Sequence, residues 1–133
     1  MKVARFNIET GSRAQVVLVR EQVEEVLTSL HAEDGFAHLW CPHTTAGLTV
    51  NEGWDPDVTK DLLGRLEALV PWEAGYRHAE GNSAAHIKAV LIGPGVTVPV
   101  AHGQLALGRW QDVYFCEFDG PRRRTIEVRF LAG

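Results

Sequence analysis

Val113-Tyr114-Phe115-Cys116-Glu117-Phe118-Asp119-Gly120-Pro121-Arg122-Arg123-Arg124-Thr125-Ile126-Glu127-Val128-Arg129-Phe130-Leu131 is the stretch that decides the fold class of this chain. Two runs rich in β-branched and aromatic residues, Val113 to Phe118 and Thr125 to Leu131, flank an Asp-Gly-Pro turn, as strands joined by a short connection should. The same reading upstream gives strands at His86 to Ile92, at Val96 to Val100 after the Pro94-Gly95 turn, and in a short piece at Gln104 to Leu107. Nearer the N-terminus, Val3 to Ile8 alternates, with Ala4, Phe6 and Ile8 on one face. Val16 to Val19 is a second apolar run, and Phe36 to Cys41 reads as a buried strand halted by Pro42, which lacks a ladder donor. Two segments have a helical period instead. Gln22 to His31 aligns Val23, Val26, Leu27 and Leu30 on one stripe. A second helix opens at Asp55-Pro56, where the carboxylate caps free N–H groups and proline suits the first position; Val58, Leu62, Leu66 and Leu69 form its stripe until Pro71. Runs of strands with two separated helices predict an α+β fold with antiparallel pairing through tight turns.

At 133 residues and 45% hydrophobic, the chain fits a single domain, residues 1–133, able to bury about two thirds of its unfolded surface. A formal charge of -4 argues against broad electrostatic attachment to nucleic acid or anionic lipid, which needs an excess of Lys and Arg. Arg122-Arg123-Arg124 is the one locally basic run. No apolar segment approaches the roughly 20 residues that cross a bilayer, and the chain opens without an apolar signal core, so a cytoplasmic location is expected. Cys41 and Cys116 sit in apolar contexts and are expected to be reduced core thiols.

Polar chemistry concentrates in two places. Cys41 to Glu52 packs an imidazole, hydroxyls, a carboxamide and a carboxylate between apolar runs; His78 to Lys88 adds two imidazoles, Asn82 and a cation. His43 follows a strand end, His78 lies in a loop from Trp72 to Ser83, and His86 opens the next element. From such positions side chains can converge on one pocket. Three neutral imidazoles suit zinc and similar metals, although spacings of 35 and eight residues match no compact zinc signature. The plainer reading is of satisfied or surface histidines, and His31, His38 and His102 receive it. Glu52 and Glu80 are general-base candidates, or orient an imidazole; Asn51, Glu52 and Asn82 can equally be turn residues. Thr44, Thr45, Ser83, Lys88, Arg109 and Arg122 offer hydroxyls and cations to an anionic ligand, but no Walker sequence or dinucleotide fingerprint is present. Trp110 beside Arg109 can line a pocket or an interface, a core position being the commoner case.

His43-Thr44-Thr45-Ala46 with Asn51-Glu52, Asp55-Pro56-Asp57-Val58, Glu80-Gly81-Asn82 with Ala85-His86-Ile87-Lys88, Leu107-Gly108-Arg109-Trp110-Gln111 and Glu117-Phe118-Asp119-Gly120-Pro121-Arg122 together resemble the YjbQ-like family. The resemblance spans nearly the whole chain. It implies an α+β fold, a two-layer and largely antiparallel β-sandwich with two main helices, assembled as a homotrimer. It also implies that His43, His78 and His86 are grouped as a metal site. Members are described as secondary thiamine-phosphate synthases, transferases that join a pyrimidine methyl diphosphate to a thiazole phosphate. Three imidazoles suit zinc, manganese, nickel or iron better than magnesium, which prefers oxygen ligands.

Two classes of function follow. One is a small metal-assisted enzyme, with the three histidines as ligands, Glu52 or Glu80 as acid–base group, and Thr44, Thr45, Asn51, Asn82, Lys88 and Arg122 holding an anionic or phosphorylated small molecule. The other is a non-catalytic ligand-binding or assembly protein, in which the cluster holds an anion at a subunit boundary.

Overall fold

The computed structural model describes residues 1–133. In chain order the elements are β1 (Lys2–Glu9), β2 (Gln15–Leu18), α1 (Arg20–Ser29), β3 (Gly35–Trp40), β4 (Ala46–Glu52), α2 (Pro56–Leu69), α3 (Ser83–Ile92), β5 (Gly95–Ala101), β6 (Gln104–Leu105), β7 (Gln111–Glu117) and β8 (Arg123–Ala132). Two antiparallel sheets form, one ordered β1-β8-β3-β5-β6 and the other β2-β7-β4. This is the α+β fold the sequence predicts, arranged as the sandwich the family resemblance implies, with three helices in place of two. None of its helices is long and apolar enough to cross a membrane.

Strand β7 explains the layering. Val113 and Phe115 point into the main core between the sheets, while Tyr114, Cys116 and Phe118 join Leu66, Ala85 and Ala89 in a second cluster beneath α2 and α3. A strand buried on both faces reads as a continuous apolar run because neither side chain set meets water. Helix α1 contributes Val23 and Leu27 to the main core. At α2 the expected cap is present: the Asp55 carboxylate accepts from the Asp57 N–H at 2.9 Å, with Pro56 starting the helix. Cys41 and Cys116 are free and buried; desolvation raises both thiol pKa values, Cys116 to about 12, so neither is a ready nucleophile.

Three sequence expectations are corrected. His86 to Ile92 is part of helix α3, not a strand: Ala84, Ala85, Lys88 and Ala89 are its buried residues, a helical stripe, and alanine is the strongest helix former. Val113 to Phe118 and Thr125 to Leu131 do not pair with each other. The Asp-Gly-Pro connection, with a cis peptide before Pro121, carries the chain from one sheet to the other. Finally, Ala46 to Glu52, read as a polar segment, is the strand β4. Its Gly47 is required by close approach, since a Cβ there would stand 2.7 Å from the Gly93 carbonyl oxygen; that same oxygen accepts from the Leu48 N–H at 3.0 Å. Through this contact α3 is seated on β4.

Candidate functional site

Three connections meet at one end of the sandwich: Pro42–Thr45 between β3 and β4, His78–Asn82 leading into α3, and Asp119–Arg122 between β7 and β8. They enclose an open pocket of about 420 Å³. Pro42 is its one lining residue without a polar side chain.

Beneath the pocket lies a buried ion pair. Arg124 and Glu117 are 4% and 0% exposed, and the guanidinium meets both carboxylate oxygens, Nε to Oε1 at 2.8 Å and Nη2 to Oε2. Glu117 also accepts from the Thr10 hydroxyl at 2.7 Å and from the Asp119 N–H at 3.0 Å. Arg124 Nη2 donates to Thr45 Oγ1 at 2.9 Å. One pair thus fixes two of the connections that form the rim. Burial by itself would raise the Glu117 pKa, but the donors from Arg124, Asp119 and Thr10 together hold it below its ordinary value of 4.5. A depressed folded-state pKa adds stability above the unfolded value, and that stability is lost as pH falls through the folded one. Acid titration followed by circular dichroism is therefore expected to show stability falling below pH 4.5, with a flatter dependence in Glu117→Gln.

On the rim, the Asp119 carboxylate accepts from Asn82 Nδ2 at 2.9 Å and from Arg122 Nη2 at 3.1 Å. The Arg122 Nε donates to the Asp119 carbonyl at 2.8 Å, yet the residue stays exposed. The Asn82 amide orientation is set by Asp119, because flipping it would put two oxygens together. Asn82 Oδ1 is then a buried acceptor with no protein partner, an unusual condition that a ligand donor, water or an ion would relieve.

The imidazoles form a pair and an outlier. His78 and His86 meet edge to face with centroids 5.3 Å apart, and His78 Nε2 lies 4.0 Å from Glu80 Oε2. Two imidazoles sharing a tetrahedral ion, with Zn–N about 2.0–2.1 Å, have centroids about 5 Å apart. The pair offers the nitrogen donors a transition metal prefers, at a centroid distance that edge-to-face ring packing also gives. His43 differs, because its Nε2 accepts the Thr125 N–H at 2.9 Å. No three His, Cys, Asp or Glu side chains are grouped closely enough to hold an ion within this chain.

The structure therefore gathers His43, Thr44, Thr45, His78, Glu80, Asn82, His86 and Arg122 at one pocket. It does not bring Glu52, Asn51 or Lys88 there. Glu52 ends the seven-residue β4, about 20 Å along the strand from Thr45; its carboxylate accepts from the Asp55 N–H at 2.7 Å, and its carbonyl from the Tyr114 hydroxyl at 2.5 Å. Asn51 Oδ1 accepts the Glu52 N–H at 2.8 Å. Both follow the turn chemistry weighed for them. Lys88 is buried and paired with Glu67. Arg109 stacks on Trp110, whose ring meets Trp54; both tryptophans are exposed, so Trp110 is not in the core. Asp119 and Arg124 were missed as site residues. Arg124 shares its strand face with Ile126, Val128 and Phe130, all buried, and Glu117 shares one with Val113 and Phe115. Two opposite charges in phase with apolar runs are the signal of a buried pair.

The fold and pocket define a class: small α+β sandwich proteins with a polar, histidine-bearing pocket at one end. A family model described as UPF0047 protein YjbQ-like matches residues 4–133, and the chain belongs to that family. It is 46% identical to the UPF0047 protein YugU of Bacillus subtilis over 127 residues, covering 95% of this chain and 96% of that protein. A crystal structure of an uncharacterised YjbQ/UPF0047 protein from Clostridium acetobutylicum superposes with a TM-score of 0.93 at 42% identity, covering 96% and 99% of the two chains. The hypothetical protein APE1520 from Aeropyrum pernix gives 0.94 at 34% identity over the whole of both chains. None of these descriptions states an activity.

Proposed function

We propose that this protein is a small metal-assisted enzyme acting on a phosphorylated or otherwise anionic small molecule. The observation that carries the reading is the His78–His86 pair: two imidazoles in contact, with no hydrogen bond to either ring, in a pocket lined by polar groups. Charge balance supports it. Arg122 and Arg124 are offset at the pocket by Glu80 and Asp119, and Glu117 lies against Arg124, so neutral imidazoles leave no excess positive charge for an anion. A divalent cation on His78 and His86, with zinc preferred to magnesium for imidazole ligands, supplies that charge and polarises a bound oxygen. Glu80, 4.0 Å from His78 Nε2, would accept a proton or orient that ring once a ligand is bound. Arg122, steadied by Asp119, presents its free edge to the ligand; Thr44 offers a hydroxyl, and Thr45 is held inward by Arg124.

Joining a pyrimidine methyl diphosphate to a thiazole phosphate suits such a pocket, since both reactants and the departing pyrophosphate are anionic. Purified protein with both precursors and zinc is expected to form thiamine phosphate, and Arg122→Ala to slow it about tenfold or more through lost charge-assisted hydrogen bonds. A rate equal to that of heat-killed protein would remove this reaction. We also propose a homotrimer: Trp54, Leu69, Val90 and Leu91 are at least 59% exposed, an apolar surface that further copies would cover. Sedimentation at one subunit mass would contradict it.

A further inference from the structure

We infer that His43 is not a third metal ligand but a neutral hydrogen-bond donor, its proton fixed on Nδ1 by the backbone N–H of Thr125, and that it recognises an acceptor oxygen of the ligand. This rests on the pocket being an anion site, and it departs from the grouping of three histidines implied by the family resemblance.

The argument begins in the sheet register. Strand β8 pairs with β1 from Arg123 to Phe130 but with β3 only from Glu127 onward, where Trp40 is the last β3 partner. Cys41 and Pro42 lead the chain away, leaving the β8 residues before Glu127 without a strand on that side. At Thr125 the missing ladder acceptor is replaced by an imidazole: the N–H donates to His43 Nε2 at 2.9 Å. A part-buried N–H left unpaired is costly, so the backbone dictates which ring nitrogen carries the lone pair. Turning the ring over would set a carbon against that N–H, which rules out the other orientation.

A neutral imidazole has one lone pair and one N–H. With the Nε2 lone pair engaged, Nδ1 bears the hydrogen and cannot coordinate a metal without breaking the contact to Thr125. Nδ1 has no hydrogen-bond partner within the chain, and His43 lines the pocket shared with His78 and His86. Burial, followed by the nearby Arg124 charge, lowers the His43 pKa and keeps the ring neutral. A neutral donor beside a metal-binding pair suits an ester or phosphoryl oxygen, which accepts hydrogen bonds but offers none.

The test combines long-range ¹H–¹⁵N spectra of histidine-labelled protein with zinc and inorganic pyrophosphate binding to His43→Ala and His86→Ala. The expected spectrum shows His43 protonated on Nδ1 alone. His43→Ala should keep zinc at wild-type stoichiometry while losing about tenfold in pyrophosphate affinity, the scale of one hydrogen bond to a charged group; His86→Ala should lose the zinc. A His43 proton on Nε2, or zinc lost on His43→Ala, would overturn the inference. Wild-type protein that took up neither zinc nor pyrophosphate would end the reading under Proposed function, and with it the recognition role, while the spectrum still decided the tautomer.

Discussion

Glu117→Gln is expected to destabilise the protein by about 3–5 kcal/mol, because it leaves a guanidinium buried without its counter-charge. Arg124 is 4% exposed, and its other contacts are to Thr45, a neutral residue. At 4% exposure, water reaches too little of the orphaned guanidinium to replace the lost carboxylate. A loss of that size is a large part of the stability of a typical domain and lowers Tm by about 10 °C or more. Replacing both partners by apolar residues of similar volume should recover much of the loss, since a matched apolar pair carries no desolvation cost. A Glu117→Gln loss below about 1 kcal/mol, the range of an exposed ion pair, would show that the pair does not hold the rim. The consequence reaches the pocket, because Glu117 accepts from the Asp119 N–H and Arg124 holds Thr45.

The second large effect is expected at His86. It stands in the first part of α3, where alanine is the residue best tolerated by a helix, so His86→Ala should keep the fold and the circular dichroism spectrum. Zinc affinity is nevertheless expected to drop by at least about a hundredfold, since even the groups that only orient a ligand contribute about 10–100-fold. Turnover of any anionic substrate should fall with it. Isothermal titration with zinc checks the affinity, and equal binding by both proteins would remove His86 from the centre. Lys88→Met is the useful contrast: Lys88 pairs with Glu67 under α2, away from the pocket, so zinc and pyrophosphate binding should be unchanged.

How far the sequence reaches can be seen residue by residue. The α2 start was legible because Asp55-Pro56 is a local signal, with capping and proline geometry both decided within one turn. Strands β1, β3, β5 and β8 were legible from alternation or apolar runs. Helix α3 was not, because Ile87, Val90 and Leu91 make its exposed face as apolar as its buried one; without a polar side the helical period vanishes and the run imitates a strand. The partners of β7 and β8 were hidden for another reason: a tight turn looks the same whether it closes a hairpin or passes between sheets. His43 at a strand end and His78 in a loop were readable as pocket residues, whereas His86 reaches the pocket from helix α3 and not from the strand start expected for it. The pocket's support was not readable, since Glu117 and Arg124 act through a pairing between two sheets. Glu52 and Lys88 show the converse error, where a suitable functional group lies near the right residues in sequence and points elsewhere in space.

The most direct test is the anomalous scattering of zinc-loaded crystals measured at the zinc absorption edge. We predict one peak shared by His78 and His86, within about 2.0–2.1 Å of a ring nitrogen of each, with His43 Nε2 still facing the Thr125 N–H. Zinc bound elsewhere, with both rings uncoordinated, or no site at all at saturating metal, would contradict the account.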